Sequence, residues 1–329
     1  MRILVTGSAG QDGVLLSRIL LERGHEVIGT VRSSRLFNLS SICPGIIPYS
    51  IDLLDQHKVN DMLSTVKPDW IINLAGFTSV AKSWQYPEEN TILNLELVKT
   101  LCLWIITKSP ATKMLQASSS EIFGASTIRP QSESTPLNPI TPYGEAKALA
   151  QEHISKFTKG FGLDVRTAIL FNHESPIRRK EFVTRHISSQ VASLHLGLTD
   201  KIKIGNIGSL RDWGWAPDYV SAMCRMMQKP AGQDFLLASG IASTVEDFLM
   251  NCFKAVECPF STHYLDSSID KFRKIDPANL IGDPTKALSQ GVLNHTRTLE
   301  RIAFEMVEWD IKVLKDGVNP YSWGLNDKN

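Results

Sequence analysis

The sequence predicts an α/β fold, with a doubly wound parallel sheet and a second, smaller α/β substrate-binding lobe. Short apolar runs at residues 2–5, 26–29 and 70–74 lack the alternation of a half-exposed strand, which is typical of strands buried on both faces. Stretches with helical spacing lie between these runs, and this alternation favours a parallel sheet. The length of 329 residues exceeds one ordinary domain, so two lobes are expected.

Further elements follow along the chain. Their patterns are the same, and they comprise helices at residues 14–22, 244–255 and 298–313 and strands at residues 113–116 and 165–171. After residue 171 the alternation weakens. We therefore assign residues 1–171, with a return of the chain at about 207–240, to the sheet domain and residues 172–329 to an interleaved second lobe.

Composition and charge limit the possible partners. With 43% hydrophobic and 21% charged residues, the chain has the composition of a soluble globular protein. Its net charge of +1 gives no basic surplus for nucleic acid or an anionic membrane. Five cysteines without CxxC spacing predict buried thiols in a reducing compartment and no metal site. No early apolar run is long enough to span a bilayer, so we expect a cytoplasmic protein.

A glycine-rich loop follows the first strand directly. Gly7, Gly10 and Gly13 have GxxGxxG spacing, with Gln11 and Asp12 between the last two. Glycine permits positive φ and lets the backbone approach a pyrophosphate, and the following helix offers free amide groups at its N-terminus. An ordinary strand–helix turn is the alternative, but the strand before the loop and the helix after it favour dinucleotide binding, as in the Rossmann fold.

The end of the second strand indicates which dinucleotide fits. NAD sites usually place an acid there, whereas NADP sites place cations for the 2′-phosphate. This chain has no acid there and carries Arg32, Ser33 and Arg35, which can bind a phosphate through guanidinium groups and a hydroxyl. A solvated turn is the alternative, but the pattern favours NADP. Asp52 and Leu53 follow the third strand, where such a fold meets the adenine.

Tyr143 and Lys147 have YxxxK spacing, one helical turn apart. The pKa of a phenol is near ~10, and a cation within about 6 Å favours the phenolate and lowers that pKa. The lysine can also hold the nicotinamide ribose. Ser119 can hydrogen-bond the reacting sugar hydroxyl and assist its proton transfer to Tyr143. We therefore assign Tyr143 and Lys147 both to catalysis and to cofactor binding.

Glu121 closes the segment Ser-Ser-Ser-Glu and indicates a further kind of chemistry. Hydride and proton transfer in a dehydrogenase or a 4-epimerase needs no carboxylate at this point. A 4,6-dehydratase must also remove the acidic proton on carbon 5 once carbon 4 is a ketone, and a carboxylate in a partly dry pocket suits that step. The alternative is an exposed acid that caps a turn. The combination favours sugar dehydration.

Motifs along nearly the whole chain support this interpretation. They are TGSAGQDG, SSSE, NHESP with RR and FVTR after it, IGN, RDWG, DYV and GDPTK. Together with the spacing from Glu121 to Tyr143, they resemble the GDP-mannose 4,6-dehydratase family of the extended short-chain dehydrogenase/reductases. The resemblance implies a lyase with tightly held NADP. It would convert GDP-mannose to GDP-4-keto-6-deoxymannose, passing a hydride from carbon 4 to carbon 6.

The same resemblance implies further site residues and an assembly. Those implied at the cofactor are Leu74 and His173, and those implied at the substrate are Ser79, Glu121, Asn172, Arg185, Asn206, Arg211, Arg273 and Asp276. Of these, Asn172 and Arg185 would seat the nucleotide sugar, and Arg211 and Arg273 would hold its diphosphate. Asp276 would bind its ribose hydroxyls. The family also suggests a homodimer or homotetramer in which the Arg32–Arg35 loop approaches a neighbour's cofactor.

Some segments depart from the family pattern. Residues 35–52 form a short connection, and residues 74–80 and 273–276 differ from the family's wording. These changes leave open which GDP-hexose or related heptose is the substrate. Two other functions also stay open. One is a nucleotide-sugar 4-epimerase or 4-reductase on the same fold, against which Glu121 argues. The other is a catalytically silent NADP-binding regulator, against which the intact catalytic set argues.

Overall fold

The computed structural model describes residues 1–32, 36–266 and 280–325. The strands in these ranges are β1 (Arg2–Thr6), β2 (Glu26–Val31), β3 (Ile47–Ser50), β4 (Trp70–Asn73), β5 (Lys113–Ser119), β6 (Val165–Leu170), β7 (Asn172–Glu174), β8 (Ile202–Lys203), β9 (Leu210–Trp215), β10 (Phe235–Leu237), β11 (Ala242–Thr244) and β12 (Leu265–Asp266). The helices are α1 (Gln11–Glu22), α2 (Leu36–Ile42), α3 (Gln56–Val66), α4 (Val80–Ser83), α5 (Pro87–Thr91), α6 (Leu97–Lys108), α7 (Pro142–Phe161), α8 (Val183–His195), α9 (Ala216–Met226), α10 (Val245–Ala255), α11 (Thr285–Ser289) and α12 (Leu299–Asp316).

A seven-stranded parallel sheet in the order β10-β6-β5-β4-β1-β2-β3 forms the larger lobe. Strand β1 lies near its middle, where Ile3 is in register with Val27 on one side and with Trp70 on the other. Ile3 packs into the core on one face of the sheet and Leu4 into the core on the opposite face. Both faces are therefore covered, which explains the apolar run and confirms the predicted doubly wound sheet.

The smaller lobe contains a second sheet and a helical core. Strand β9 pairs with β7 in parallel and with β11 antiparallel, while β8 and β12 form a separate pair. Helices α8, α10 and α12 pack on one another through Ile187, Phe248 and Met306. Within the predicted return at 207–240, β9 belongs to this lobe. The chain rejoins the large sheet afterwards, because α9 packs on α1 and β10 pairs with β6.

The strand order creates the place for a ligand. The chain goes outwards from β1 to β3 on one side and continues from β4 to β6 on the other, so the order reverses between β1 and β4. In open α/β sheets, ligands bind beyond the carboxyl ends of the strands at such a reversal. Strand β7 follows β6 after one residue and therefore brings the smaller lobe to this same edge.

One helical run in the described residues, Pro87–Lys108, is long and apolar enough to cross a membrane by length and composition. Of its most apolar window, 56% is buried inside the fold, where α6 packs on α3 and α7. A π-helical turn, Ile92–Glu96, interrupts this run. All five cysteines are free thiols. Four of them are buried, as predicted, whereas Cys258 is only half-buried.

Candidate active site

A cleft of about 430 Å³ lies at the carboxyl edge of the large sheet, between the two lobes. Most of the predicted site residues line it. They are Gly7, Gly10, Gln11, Asp12, Gly13, Arg32, Asp52, Leu53, Leu74, Ser119, Glu121, Tyr143, Lys147, Asn172, His173 and Arg211. The cleft thus collects residues from the glycine loop, the strand ends, the start of α7 and the smaller lobe.

Other predicted residues lie elsewhere. Ser79 caps α4 by accepting a hydrogen bond from the Lys82 amide at 3.3 Å, although its neighbours Thr78 and Val80 line the cleft. Asn206 is exposed, and its side chain accepts a hydrogen bond from the Gly208 amide at 2.9 Å. Neither side chain lines the cleft, so the structure does not support their prediction as substrate ligands. Four predicted residues fall outside the described ranges, namely Ser33, Arg35, Arg273 and Asp276.

Arg185 was predicted to bind the nucleotide sugar, but in the structure it forms a buried ion pair with Asp310. Its side chain is only 1% exposed, and its Nε lies 3.0 Å from each carboxylate oxygen of Asp310, itself 1% exposed. Its Nη1 donates to the carbonyl oxygens of Pro176 and Arg178. Because these partners occupy the guanidinium group and the cleft does not reach it, the predicted substrate role is wrong. The ion pair joins α8 to α12.

The glycine loop has the geometry that a pyrophosphate requires. Gly7 has φ of +69°, and a Cβ atom there would lie 2.9 Å from the Ala75 amide nitrogen. A Cβ atom on Gly13 would lie 2.4 Å from the Gly7 carbonyl oxygen. Gly10 caps α1 without a side chain, so the first amides of the helix stay open to the cleft. The loop therefore fits a dinucleotide, with the phosphates at the helix N-terminus.

The cleft continues to the ends of β2 and β3. Arg32 is exposed and follows β2 directly. Neither Val31, the last residue of β2, nor Arg32 is acidic. Asp52 and Leu53 line the same end of the cleft. The Arg32 guanidinium group at this end is a cation that can bind a phosphate.

Tyr143 and Lys147 lie in the first two turns of α7, which begins at Pro142. Thr141 caps this helix by accepting a hydrogen bond from the Gly144 amide at 3.0 Å. Lys147 Nζ lies 6.0 Å from the centre of the Tyr143 ring and donates to the Ala117 carbonyl oxygen at 2.9 Å. The sequence therefore placed these two side chains correctly relative to each other.

The acidity of this pair differs from the prediction. Burial raises the pKa of Tyr143 to about 12, despite a hydrogen bond with Ser119 that lowers it, and the charge of Glu121 raises it further. Burial also lowers the pKa of Lys147 to about 8. The net pKa of the phenol therefore lies above its usual value, because removal from water outweighs the neighbouring groups that lower it.

Glu121 is buried at the cleft and is not an exposed cap. It lies in a 3-10 turn, Ser120–Ile122, that follows β5, and only 9% of its surface is exposed. The Ser119 hydroxyl accepts a hydrogen bond from its amide at 3.3 Å. A Cβ atom on Gly144 would lie 2.5 Å from the Glu121 carbonyl oxygen, so glycine lets the start of α7 approach this turn. Tyr143 is the second residue of this helix, and the charge of the Glu121 carboxylate acts on its phenol group.

Sequence analysis gave no individual role to Arg178, which also lines the cleft. Its guanidinium group stacks 3.8 Å from the centre of the Phe182 ring, and its Nε lies 3.3 Å from a carboxylate oxygen of the buried Glu174. The ring and the acid fix this cation in place. The NHESP motif with two arginines after it was the available signal, but a motif does not show which arginine faces the ligand.

An ion pair also connects the glycine loop to β7. His173 Nε2 lies 2.9 Å from Asp12 Oδ2, and its Nδ1 lies 2.7 Å from the Phe171 carbonyl oxygen. Burial opposes the charge on each group, but their mutual attraction and hydrogen bond outweigh it. They hold the pKa of Asp12 below its usual value and the pKa of His173 above it. Neither partner was predicted to contact the other.

The sheet order, the glycine loop and the tyrosine–lysine helix together define a class, the extended short-chain dehydrogenase/reductases. The crystal structure of UDP-glucose 4-epimerase from Thermotoga maritima with UDP-glucose has this fold, with a TM-score of 0.83 and 24% identity. The match covers 96% of this chain and 100% of that one. At that identity the likeness shows the fold alone.

The sequence comparisons define the family. The family model for GDP-mannose 4,6 dehydratase matches residues 4–306. GDP-mannose 4,6 dehydratase 1 of Arabidopsis thaliana is 36% identical over 329 residues, which cover 95% of this chain and 90% of the relative. A GDP-mannose 4,6-dehydratase of Sordaria araneosa is 34% identical, and there the match covers 61% of the longer relative. The chain belongs to the GDP-mannose 4,6-dehydratase family.

Proposed function

We propose that this protein is a hydro-lyase that converts GDP-mannose to GDP-4-keto-6-deoxymannose with bound NADP. The single observation that carries the proposal is the buried Glu121 carboxylate beside Tyr143 in a cleft that also contains the glycine loop. The proposal is also supported by the names of the relatives in Arabidopsis thaliana and Sordaria araneosa, which are GDP-mannose 4,6-dehydratases.

The choice of NADP rests on the charge at the end of β2. Arg32 lines the cleft there, and no acid stands in the described residues at that strand end. Arg35 and Ser33, which lie outside the described residues, complete the proposed 2′-phosphate site. When bound, the nicotinamide supplies reversible hydride storage between carbon 4 and carbon 6 of the sugar.

The side chains of the cleft supply the proton transfers. Ser119 hydrogen-bonds the hydroxyl on carbon 4 and passes its proton to Tyr143 as that carbon becomes a ketone. The ketone makes the proton on carbon 5 acidic, and Glu121 removes it. Glu121 returns this proton to the hydroxyl on carbon 6, which leaves as water, and a double bond forms between carbons 5 and 6. Tyr143 must be a phenolate to accept the proton of the carbon 4 hydroxyl. Burial raises its pKa to about 12, and the ammonium group of Lys147, 6.0 Å from the centre of its ring, would favour the phenolate.

Asn172 and Arg211 are the proposed substrate contacts among the described residues that line the cleft. Arg211 would bind the diphosphate, because a guanidinium group matches phosphate oxygens in pairs. Arg273 and Asp276 stay proposals for the diphosphate and the ribose, since they lie outside the described residues. The departures at residues 74–80 and 273–276 keep another GDP-hexose or a heptose as the alternative substrate.

A 4-epimerase or 4-reductase on the same fold is the alternative reaction, and the Thermotoga maritima structure is named as an epimerase. Glu121 favours dehydration, since neither alternative needs a buried base beside the tyrosine. A silent NADP-binding regulator is a further alternative. It is disfavoured because the cleft brings Ser119, Tyr143 and Lys147 together with this acid.

We further propose a cytoplasmic homodimer or homotetramer that binds neither nucleic acid nor membranes. The net charge of +1 supports the absence of polyanionic partners. Leu103 on α6 and both Leu149 and Phe161 on α7 are exposed apolar side chains, and a second copy of the chain would cover them.

The deciding experiment follows the hydride. Purified protein is incubated with GDP-mannose deuterated at carbon 4, without added cofactor, and the product is analysed by mass spectrometry and NMR. We expect a 4-keto product with deuterium at carbon 6. A product with inverted carbon 4, or turnover that requires NADPH in equal amounts, would instead show the epimerase or the reductase.

A further inference from the structure

We propose that His173 is the counter-ion of Asp12, and that this pair positions the phosphate-binding loop for the negatively charged cofactor. The inference rests on the proposed function, because it assumes a bound dinucleotide. Asp12 and His173 then act on the cofactor in two ways. They hold the loop in place, and His173 neutralises the Asp12 carboxylate next to the cofactor's phosphates. In this proposal they are positioning residues.

The hydrogen-bond geometry and the directions of the two pKa shifts agree on the protonation of the pair. The Phe171 carbonyl oxygen can only accept, so His173 Nδ1, at 2.7 Å, carries a proton. An ionised Asp12 can also only accept, so Nε2, at 2.9 Å, carries a second proton. The ring is therefore an imidazolium cation. This agrees with the directions of the two pKa shifts, below the usual value for Asp12 and above it for His173.

The pair connects segments that are distant in the chain. Asp12 lies in the first turn of α1, and His173 lies in β7, which belongs to the other sheet. Gln11 adds two bonds across the same boundary, donating to the His173 carbonyl oxygen at 3.1 Å and accepting from the Ser175 hydroxyl at 2.8 Å. These contacts tie the start of α1 to the smaller lobe.

Charge explains why the loop needs a cation here. The N-terminus of α1 is where a pyrophosphate would bind, yet Asp12 places a carboxylate in its first turn. The Asp12 side chain is 20% exposed and that of His173 is 8% exposed, so water screens the carboxylate poorly. Without the imidazolium, this negative charge would repel the phosphates. With it, the pair is neutral.

Other groups around the ring do not replace it in the pH range of interest. Arg178 interacts with both members of the pair, but a guanidinium group does not lose its proton in proteins, and Arg178 has its own acid partner, Glu174. The Tyr219 ring packs 4.9 Å from the imidazole, and burial and nearby acids hold its pKa well above the usual value, so it stays neutral. His173 is thus the group whose titration changes the charge next to Asp12.

The sign of the pH dependence follows. Below the raised pKa of His173 the pair is complete, and as pH rises through that value the imidazolium loses its proton. Asp12 then stays negative beside the phosphate site. Affinity for the cofactor should therefore be highest near neutral pH and should fall in alkaline solution.

The test measures the dissociation constant of NADPH by fluorescence titration of nucleotide-stripped, full-length protein across pH. His173→Gln should weaken binding roughly tenfold near neutral pH, because it leaves Asp12 charged and unpaired. The double variant Asp12→Asn/His173→Gln removes both charges and should return to within about threefold of wild type. Its affinity should also lose the alkaline fall.

A purely structural role would give a different pattern. In that case the double variant would bind NADPH as weakly as His173→Gln or more weakly, and the pH profile would not flatten. Either result would overturn the inference, as would unchanged binding by His173→Gln. If wild-type protein bound neither NADP nor NADPH at any pH, the proposed function itself would fail. The two failures are therefore distinguishable.

Discussion

Two buried cations in this protein stand in opposite relation to the charges around them. Arg185 lies between α8 and α12, where the Asp310 carboxylate and backbone carbonyl oxygens surround its guanidinium group. Lys147 lies at the cleft, where its ammonium group donates to one carbonyl oxygen and burial lowers its pKa to about 8. The first cation is satisfied within the fold. The second lines the cleft, and its burial there lowers the stability of the folded chain.

This difference separates structural from functional charge. A buried ion pair costs stability when one partner is removed, because the other is left without compensation. A buried cation whose pKa is shifted by desolvation instead lowers the stability of the folded chain, and such groups are concentrated at functional sites. From the sequence, both residues were predicted to bind a ligand, Arg185 the substrate and Lys147 the cofactor. In the structure, of these two side chains only Lys147 lines the cleft, where it can contact a ligand.

The largest effect should come from the acid beside Lys147 and Tyr143. Glu121→Gln keeps the shape of the side chain but removes the base, so kcat should fall by about 10²–10⁴-fold while NADP binding is retained. Steady-state kinetics with GDP-mannose and titration with NADPH check both parts. Glu145→Gln, at an exposed position of α7, is the matched control and should behave as wild type. Normal turnover by Glu121→Gln would remove this residue from the mechanism.

Arg185→Ala should act on stability. It leaves Asp310 buried and uncompensated, so the free energy of unfolding should drop by about 3–5 kcal/mol, measured by urea denaturation. The KM for GDP-mannose, measured on the folded fraction, should stay within about twofold of wild type if the residue has no ligand role. Arg301→Ala is the control, because its pair with Glu305 is half exposed and should contribute about 0–1 kcal/mol. A large rise in KM with little loss of stability would restore the substrate role of Arg185.

The local parts of the fold and site could be predicted because their causes are local. The strand β1, the glycine loop and the first turns of α7 each follow from residues within about a dozen positions. Arg185 was misassigned because its partner Asp310 is 125 residues away on another helix. The Asp12–His173 pair spans 161 residues and was missed for the same reason. The acidity of Tyr143 depends on burial, which spacing does not reveal.

Lys147→Met should have the opposite effect on stability to Arg185→Ala. It removes an ammonium group that burial disfavours, so the cofactor-free protein should gain roughly 2–3 kcal/mol of stability near pH 7 while turnover is lost. The folded pKa of about 8 lies below the unfolded value, so this gain should be complete below pH 8 and should vanish as pH rises towards the unfolded value. Thermal unfolding across pH checks the trend, with exposed Lys156→Met as control. Destabilisation at all pH values would mean that the ammonium group has a partner that stabilises it.

The smallest effect should come from a cation at the other extreme, exposed at the rim of the cleft. Arg32→Ala removes one of the proposed 2′-phosphate contacts, and water already screens its charge, so the preference for NADP over NAD should fall by roughly tenfold. The dissociation constants of the two reduced cofactors give this ratio directly, and raising the salt concentration should narrow it in wild type. Arg23→Ala, which changes an exposed arginine at the far end of α1, should leave the ratio unchanged. An unchanged ratio in Arg32→Ala would mean that this end of the cleft does not select the phosphate. That result would also mean that, of the charged side chains compared, only the buried ones act on the ligands.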